Sequence, residues 1–377
     1  MSRPFGRRYL FGLIISLLFV TVINGCPGGR GEVRIAVAWN ATGGDGKVAF
    51  IRPGGSFAFD GAAIAVGENS TLAARGGKVY AVSRTDGTIT VIAASKGAVD
   101  DVIDLGPAAQ PIDMAIVSAR TAYVSRATAT HLLRVDLRNG SSEEVVDLSS
   151  FADADDGPDL GTMAIHDGRL FVQIMRFNPD VLGSFEPPAM IAVVDIASEE
   201  LVDADPAVEG VQAIELEGTA PKTRMQVIDE TNELFVSATG GFFDDGGLEV
   251  IDLGTLDSKG LVIPEDDGLV GADLGAFTLV DSDRGYLIFS TDLTLSSHLV
   301  PFSVTNGVDP GPQLNVSVDY FAPALASDPD SETLYVPEGD FGERGIHVFD
   351  TSTNERLTDT PIPTDGQPTD LLRITGR

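Results

Sequence analysis

The sequence predicts an all-β fold built from one recurring unit, on three observations. First, a short apolar run returns at Leu72-Ala73-Ala74, Met114-Ala115-Ile116, Met163-Ala164-Ile165, Met225-Gln226-Val227, Phe277-Thr278-Leu279, Ala324-Leu325-Ala326 and Leu371-Leu372. Successive starts lie 42, 49, 62, 52, 47 and 47 residues apart, close to the period of a four-stranded blade. Second, six of these runs lead through a turn into a strand rich in β-branched and aromatic residues, which suit a pleated, half-buried surface. Third, no stretch beyond the first 26 residues sustains the apolar period of a helix.

The elements follow in order. Val33 to Trp39, Val48 to Ile51 and Phe57 to Phe59 read as later strands of a blade that has no inner strand before them. Each apolar run is then an inner strand. Gly76-Gly77 and Asp167-Gly168 close tight hairpins after two of them, because these residues reach positive φ at little cost. The second strands are Val79 to Ser83, Ala122 to Ser125, Leu170 to Val172, Leu234 to Ser237, Leu287 to Ser290 and Leu334 to Val336. Third strands read as Leu132 to Leu137, Ile191 to Ile196, Leu248 to Leu253 and Ile346 to Asp350, carrying an apolar-Asp step at Asp136, Asp195, Asp252 and Asp350. Fourth strands are less regular, as at Glu144 to Leu148 and Val211 to Leu216.

The two ends set the blade count. Gln367-Pro368-Thr369-Asp370 repeats Gln110-Pro111-Ile112-Asp113, yet the chain stops before a second strand. Adding this last strand to the N-terminal set completes one blade and removes an exposed sheet edge. The prediction is a seven-bladed β-propeller over residues 32–377, closed by the C-terminal strand. The 62-residue spacing leaves six or eight blades open.

With those strands in place, the aromatic-Val-Ser and Val/Ile-Asp segments resemble the YVTN-type and LVIVD-type propeller repeats of prokaryotic surface proteins, in degenerate form over roughly residues 33–374. The resemblance implies the propeller fold. It carries little about function, since this architecture serves lactonases, dehydrogenases and binding scaffolds alike.

The first residues predict an address. Arg3, Arg7 and Arg8 precede a nearly apolar run from Tyr9 to Ile23, which is too short for a spanning helix and reads as a secretory signal over residues 1–25. Ile23-Asn24-Gly25-Cys26 resembles the bacterial lipobox, with Asn24 departing from the usual small residue. Cys26 is the only cysteine, so no internal disulfide can account for it. By that resemblance Cys26 becomes the lipidated N-terminus, and residues 26–31 form a short tether to the propeller. Pro27 stands where the inner-membrane retention signal of Gram-negative lipoproteins would place Asp, so in such a bacterium the outer membrane is expected over the inner. Arg7-Arg8 also resembles a weak twin-arginine signal; Gly6 and the strongly apolar run favour the general secretion route.

The formal charge is −31, and losing the three N-terminal arginines makes it −34. Such a surface repels nucleic acid and anionic lipid headgroups, and no basic stripe offsets it. The expected partners are the membrane, through the anchor, and a protein, glycan or small anionic ligand; the chain is expected to act as a monomer.

Candidate site residues are few. Arg84, Arg126 and Arg176 leave the second strands of three consecutive blades, and Arg224 precedes the next inner strand; arginines on one face could clamp a carboxylate or phosphate, or could pair with neighbouring aspartates. Three acidic loops, with Asp153, Asp155, Asp156 and Asp159, with Asp244 and Asp245, and with Glu265, Asp266 and Asp267, could bind calcium or be plain solvated turns. No other cofactor is expected. His131, His166, His298 and His347 lack metal-ligand spacing, and there is no nucleophile elbow, phosphate loop or zinc motif. Loops from Phe177 to Pro188, Gly240 to Gly247 and Glu338 to Gly345 hold aromatics (Phe177, Phe185, Phe242, Phe243, Phe341) that either form a binding face or pack onto the blades. Two function classes follow: a non-enzymatic surface lipoprotein whose propeller binds a partner, and an envelope enzyme of the lactonase type. Of these the binding scaffold is the preferred reading.

Overall fold

A computed structural model describes residues 32–177, 185, 187–221, 223–239, 246–265, 273–290, 296–308, 314–317, 322–339 and 343–375. They form seven antiparallel sheets in a ring. Blade 1 joins Gly366–Ile374 to Arg34–Ala41, Gly46–Ile51 and Ile64–Val66. Blade 2 is Ser70–Arg75, Lys78–Ser83, Thr88–Ala93 and Ala98–Asp104, and blade 3 is Pro111–Ile116, Thr121–Arg126, His131–Asp136 and Ser142–Asp147. Blade 4 is Leu160–His166, Arg169–Ile174, Met190–Asp195 and Glu200–Val202, with Ile214–Glu215 on the same third strand. Blade 5 is Gln226–Ile228, Glu233–Ala238, Gly247–Asp252 and Asp257–Pro264. Blade 6 is Asp273–Leu279, Arg284–Ser290, Ser297–Ser303 and Gly307–Val308, with Leu314–Ser317 also paired to its third strand. Blade 7 is Ala326–Asp328, Thr333–Glu338, Gly345–Asp350 and Ile362–Pro363.

The ring closes as the end motifs predict. Val37 pairs with Leu371 and Ala36 with Leu372, so the C-terminal strand becomes the inner strand of blade 1. The 62-residue spacing hides no extra blade. Blade 4 instead splits its outer strand into Glu200–Val202 and Ile214–Glu215, and the residues between them loop out. One predicted element moves. The fourth strand of blade 1 is Ile64–Val66 rather than Phe57 to Phe59. Phe57 sits at φ +44°, outside strand geometry, and Phe59 makes only a lone bridge to Ile51 while stacking on Trp39. Gly54-Gly55-Ser56 and Asp60-Gly61 crowd that run too closely for a ladder to form.

Core packing explains why the second strands read as continuous apolar runs. Each of the seven interfaces between blades holds its own hydrophobic cluster, so a middle strand buries both faces. Val79 and Ala81 pack toward blade 1, whereas the alternating Tyr80 and Val82 pack toward blade 3. The predicted hairpins Gly76-Gly77 and Asp167-Gly168 have positive φ throughout (58°, 74° and 44°, 74°).

The recurring Asp at the end of four third strands also has a physical role. Asp136, Asp195, Asp252 and Asp350 accept backbone amides two or three residues ahead, which ends the strand and starts the next turn. Hydrogen bonds from these turns hold all four carboxyls below their usual range.

Candidate binding site on the channel axis

Inner strands present one backbone edge to the central channel, and those amides and carbonyls need partners. Side chains cross every seam of the ring, and at six of the seven they reach such a backbone group, at seam 6–7 through Ser327, whose hydroxyl donates to the Leu279 carbonyl at 3.3 Å. At seam 1–2 the Leu72 amide donates to Asp370 Oδ2 at 2.7 Å. At seam 2–3 the Thr71 hydroxyl donates to the Ile112 carbonyl at 2.8 Å. At seam 3–4 the Met163 amide donates to Asp113 Oδ2 at 2.8 Å. The Thr162 hydroxyl donates to the Thr223 carbonyl at seam 4–5 (3.1 Å). Gln226 bridges seam 5–6, accepting the Leu279 amide at 2.8 Å and donating to the Leu279 carbonyl at 3.2 Å. Thr278 and Ser327 share a hydroxyl bond of 3.1 Å at seam 6–7, and Arg373 Nε donates to Asp328 at 2.7 Å at seam 7–1.

The Gln-Pro-x-Asp motif is the local cause of two of these clasps. Pro111 pairs with Arg126 and Asp113 with Ser125, which leaves Ile112 as an extra residue; Thr369 is skipped in the same way opposite Ala38 and Trp39. A bulge of this kind tolerates proline and re-aims the following side chain. Asp113 and Asp370 are both 4 % exposed, and each reaches sideways to the next blade.

Arg224 crosses the axis. From blade 5 its Nη2 donates to Asp370 Oδ2 of blade 1 at 2.6 Å and to the Leu72 carbonyl of blade 2 at 2.9 Å. Burial opposes its charge, but Asp370 and Asp113 outweigh burial and hold the guanidinium above its usual value. Burial likewise pushes the Asp370 carboxyl up, against the pull of Arg224 and the Leu72 amide. The Arg224 side chain keeps 38 % of its surface open to the channel, so water still reaches it.

Beside this strut lies a cavity of about 520 Å³. The inner strands of blades 5, 6, 7 and 1 line it, from Arg224 and Leu371 at one end to Glu230, Asp281 and Pro329 in the turns after the inner strands. Its walls are mainly apolar, with Met225, Phe277, Leu325 and Leu372 among them.

The four predicted arginines share no hydrogen-bond partner among the described residues. Arg126 turns outward along its own blade, donating to Glu144 Oε1 at 2.7 Å and the His131 carbonyl at 3.0 Å. Arg176 donates to the Pro187 carbonyl at 3.2 Å within its own loop. Arg84 is exposed on a bay with Asn69, Gln110 and Thr369, at the opposite end of the inner strands from the mouth of the cavity. Only Arg224 reaches the axis.

The histidines pack within or between strands. His166 Nε2 lies 3.0 Å from Asn232 Oδ1, across seam 4–5. His298 lies against Phe289, with centroids 5.2 Å apart. His131 Nδ1 is 2.9 Å from the Thr130 hydroxyl. His347 is buried 3.2 Å from Thr358 Oγ1, and burial pushes its pKa down to about 4.

Of the acidic loops, Asp153, Asp155 and Asp159 offer carboxylate oxygens within 4.8 Å of one another, with Asp159 rather than Gly157 completing the set. Burial and the two neighbouring carboxylates push Asp159 up to about 6, against the Phe177 amide that it accepts. Glu265 is buried and accepts the Leu274 amide at 2.8 Å. Asp244, Asp245, Asp266 and Asp267 lie outside the described residues, as do Phe242, Phe243, Phe341 and Cys26. Phe177 and Phe185 meet edge to face, 5.5 Å apart, and Phe177 is 37 % exposed. Among the described residues no helix is long and apolar enough to cross a membrane.

Gln226, Thr278, Ser327 and Arg373 are axial residues that the sequence did not single out. They sit inside or just after the apolar runs, and a polar interruption such as Gln226 in Met225-Gln226-Val227 is the one signal that could have marked them.

No protein-family model matches the chain, and no curated protein matches it. Solved structures do. A Lactobacillus plantarum protein aligns with a TM-score of 0.62 at 14 % identity, covering 91 % of this chain and 99 % of its own. A putative 6-phosphogluconolactonase from Bacteroides fragilis aligns at 0.59 and 13 % identity, covering 91 % and 98 %. Apo AztD from Citrobacter koseri aligns at 0.54 and 12 %, covering 92 % and 99 %. At these identities the likeness shows the fold alone.

Proposed function

We propose that this chain is an exported, lipid-anchored binding scaffold of the YVTN/LVIVD repeat type, held at the outer membrane through Cys26. The observation that carries the non-catalytic reading is the commitment of the axial carboxylates. Asp113 and Asp370 each spend an oxygen on a backbone amide of the next blade, and Asp370 also binds Arg224. Such carboxylates act as fasteners, whereas a general base must face the proton that it removes. The lone cysteine after an apolar run supports the anchor. Within this reading Arg84, exposed at the rim, is the arginine best placed to meet an anionic group on a partner. Asp153, Asp155 and Asp159 would serve a calcium ion that stiffens its loop.

A lactonase-like enzyme is the second reading, favoured by the convergence of Asp113, Asp370 and Arg224 on the axis. Two measurements decide. Intact mass of the native N-terminus should find acylated Cys26, and Cys26→Ser should abolish the acylation. Hydrolysis of a panel of sugar and acyl lactones should stay at background for wild type, Asp113→Asn and Asp370→Asn alike. Turnover by wild type that either folded variant loses would establish the enzyme.

A further inference from the structure

We infer that the axial cavity takes one uncharged, mainly apolar small molecule with a hydrogen-bond acceptor, which enters from the inner-strand turn face and points the acceptor at Arg224. This rests on the binding-scaffold reading and specifies its ligand. Size comes first: about 520 Å³ falls within the ordinary range of small-molecule sites. The walls come next. Met225, Phe277, Leu325 and Leu372, in or just before four inner strands, line the cavity, a lining that rewards burial of an apolar body.

Charge then selects against ions. Arg224 is the cation at the strut end, and Asp370 touches it, so its charge is already paired there. At the mouth, Glu230 and Asp281 add carboxylates, whereas Arg373, the other cation lining the cavity among the described residues, is engaged by Asp328 and Asp330. An anion would be repelled at the mouth and would find the guanidinium already paired. A cation would be drawn to the mouth and then stopped at a guanidinium. A neutral acceptor meets neither obstacle. Arg224 uses Nη2 for its two protein bonds, and among the described residues its Nε and Nη1 have no partner, so N–H groups are left for a carbonyl or hydroxyl oxygen.

Direction of entry follows from the strut. Arg224 ties blade 5 to blades 1 and 2 across the axis and obstructs that end, whereas Glu230, Asp281, Ser282 and Pro329 line the end at the inner-strand turns. The bay that carries Arg84 lies at the other end of the inner strands and is a separate surface.

The test uses two uncharged fluorophores, Nile red with a carbonyl and N-phenyl-1-naphthylamine without one, and the anionic anilinonaphthalene sulfonate as competitor. Wild type should bind one Nile red per chain with a blue-shifted emission. Leu372→Trp, which fills the cavity, should abolish binding of both neutral dyes. Arg224→Lys keeps a cation for Asp370 but lacks the free guanidinium N–H groups. It should weaken Nile red about tenfold while leaving N-phenyl-1-naphthylamine unchanged. The sulfonate should fail to displace either. Absence of stoichiometric binding, binding indifferent to both variants, or displacement by the sulfonate would overturn the inference. Lactone turnover is a separate readout: its appearance would sink the scaffold reading whatever the dyes do, and dye failure without turnover would sink only this one.

Discussion

Replacing Asp370 by alanine is the sharpest test of the axial clasp. The side chain accepts the Leu72 amide at 2.7 Å, the Arg224 guanidinium at 2.6 Å and its own blade's Leu371 amide at 2.8 Å. Its loss strands the Leu72 amide, at about 1–3 kcal/mol for an unsatisfied buried donor. It also leaves Arg224 without its closest counter-charge. Breaking a fully buried pair costs about 3–5 kcal/mol. Because 38 % of the Arg224 side chain is open to the channel, about 1–2 kcal/mol is the better figure here. Together these give a loss of roughly 3 kcal/mol. With about 2.1 cal/mol/K of unfolding entropy per residue, a domain of some 340 residues should lose about 4 °C in Tm. Calorimetry on the wild type and on Asp370→Ala, Arg224→Met and the double variant checks the reasoning. The double variant should be less damaged than the sum of the singles, since it removes the orphaned charge. A single variant within about 0.5 °C of wild type, or strictly additive losses, would refute the clasp as a source of stability.

Deleting residues 366–377 should convert the ring to an open arc. Leu371 and Ile374 are buried at 1 % and 5 % exposure, each contributing about 1.5–3 kcal/mol, and the edge of Arg34–Ala41 loses its ladder; light scattering should detect aggregation, and wild-type melting would contradict the closure. His347, 4 % exposed and held neutral with a pKa of about 4, gives a pH signature. The unfolded chain takes up its proton near pH 6.5, so this stability is complete above that pH and is lost as pH falls toward 4, by up to about 3 kcal/mol. His347→Leu should flatten the denaturation midpoint in that window, and an unchanged slope would contradict the assignment. Calcium at millimolar concentration should raise Tm by a degree or more, an effect that Asp155→Asn should remove; magnesium giving the same rise would argue against a built site.

Much of the fold was legible because its signals are local or repeated. The apolar runs mark strands buried on both faces, and the paired Gln-Pro-x-Asp motifs mark two bulged inner strands, one of which closes the ring. Phe57 to Phe59 misled because a strand needs a partner as well as aromatic residues, and the turns around it leave no room for pairing. The site was less legible for a different reason. Leaving the second strand fixes where an arginine starts but not where its long side chain ends, and Arg126 is taken by Glu144 of its own blade. The clasps join residues 50 apart at Asp113 and Met163, and 298 apart at Asp370 and Leu72. No spacing rule connects positions so distant. Asp113, Thr162, Arg224 and Asp370 differ in type because different neighbours meet one recurrent need, an inner-strand edge that must be satisfied.

Each blade interface has its own apolar cluster and its own axial fastener, so the ring is a set of links in series. A globule with one core can lose a contact and relax around the gap. A closed belt cannot, because parting any single seam frees two apolar faces at once and releases the curvature that held the other six. Damage at distant seams should therefore end in the same opened molecule, whichever seam gives way first. The chain's tolerance to change would then be set by its weakest seam and not by its average one.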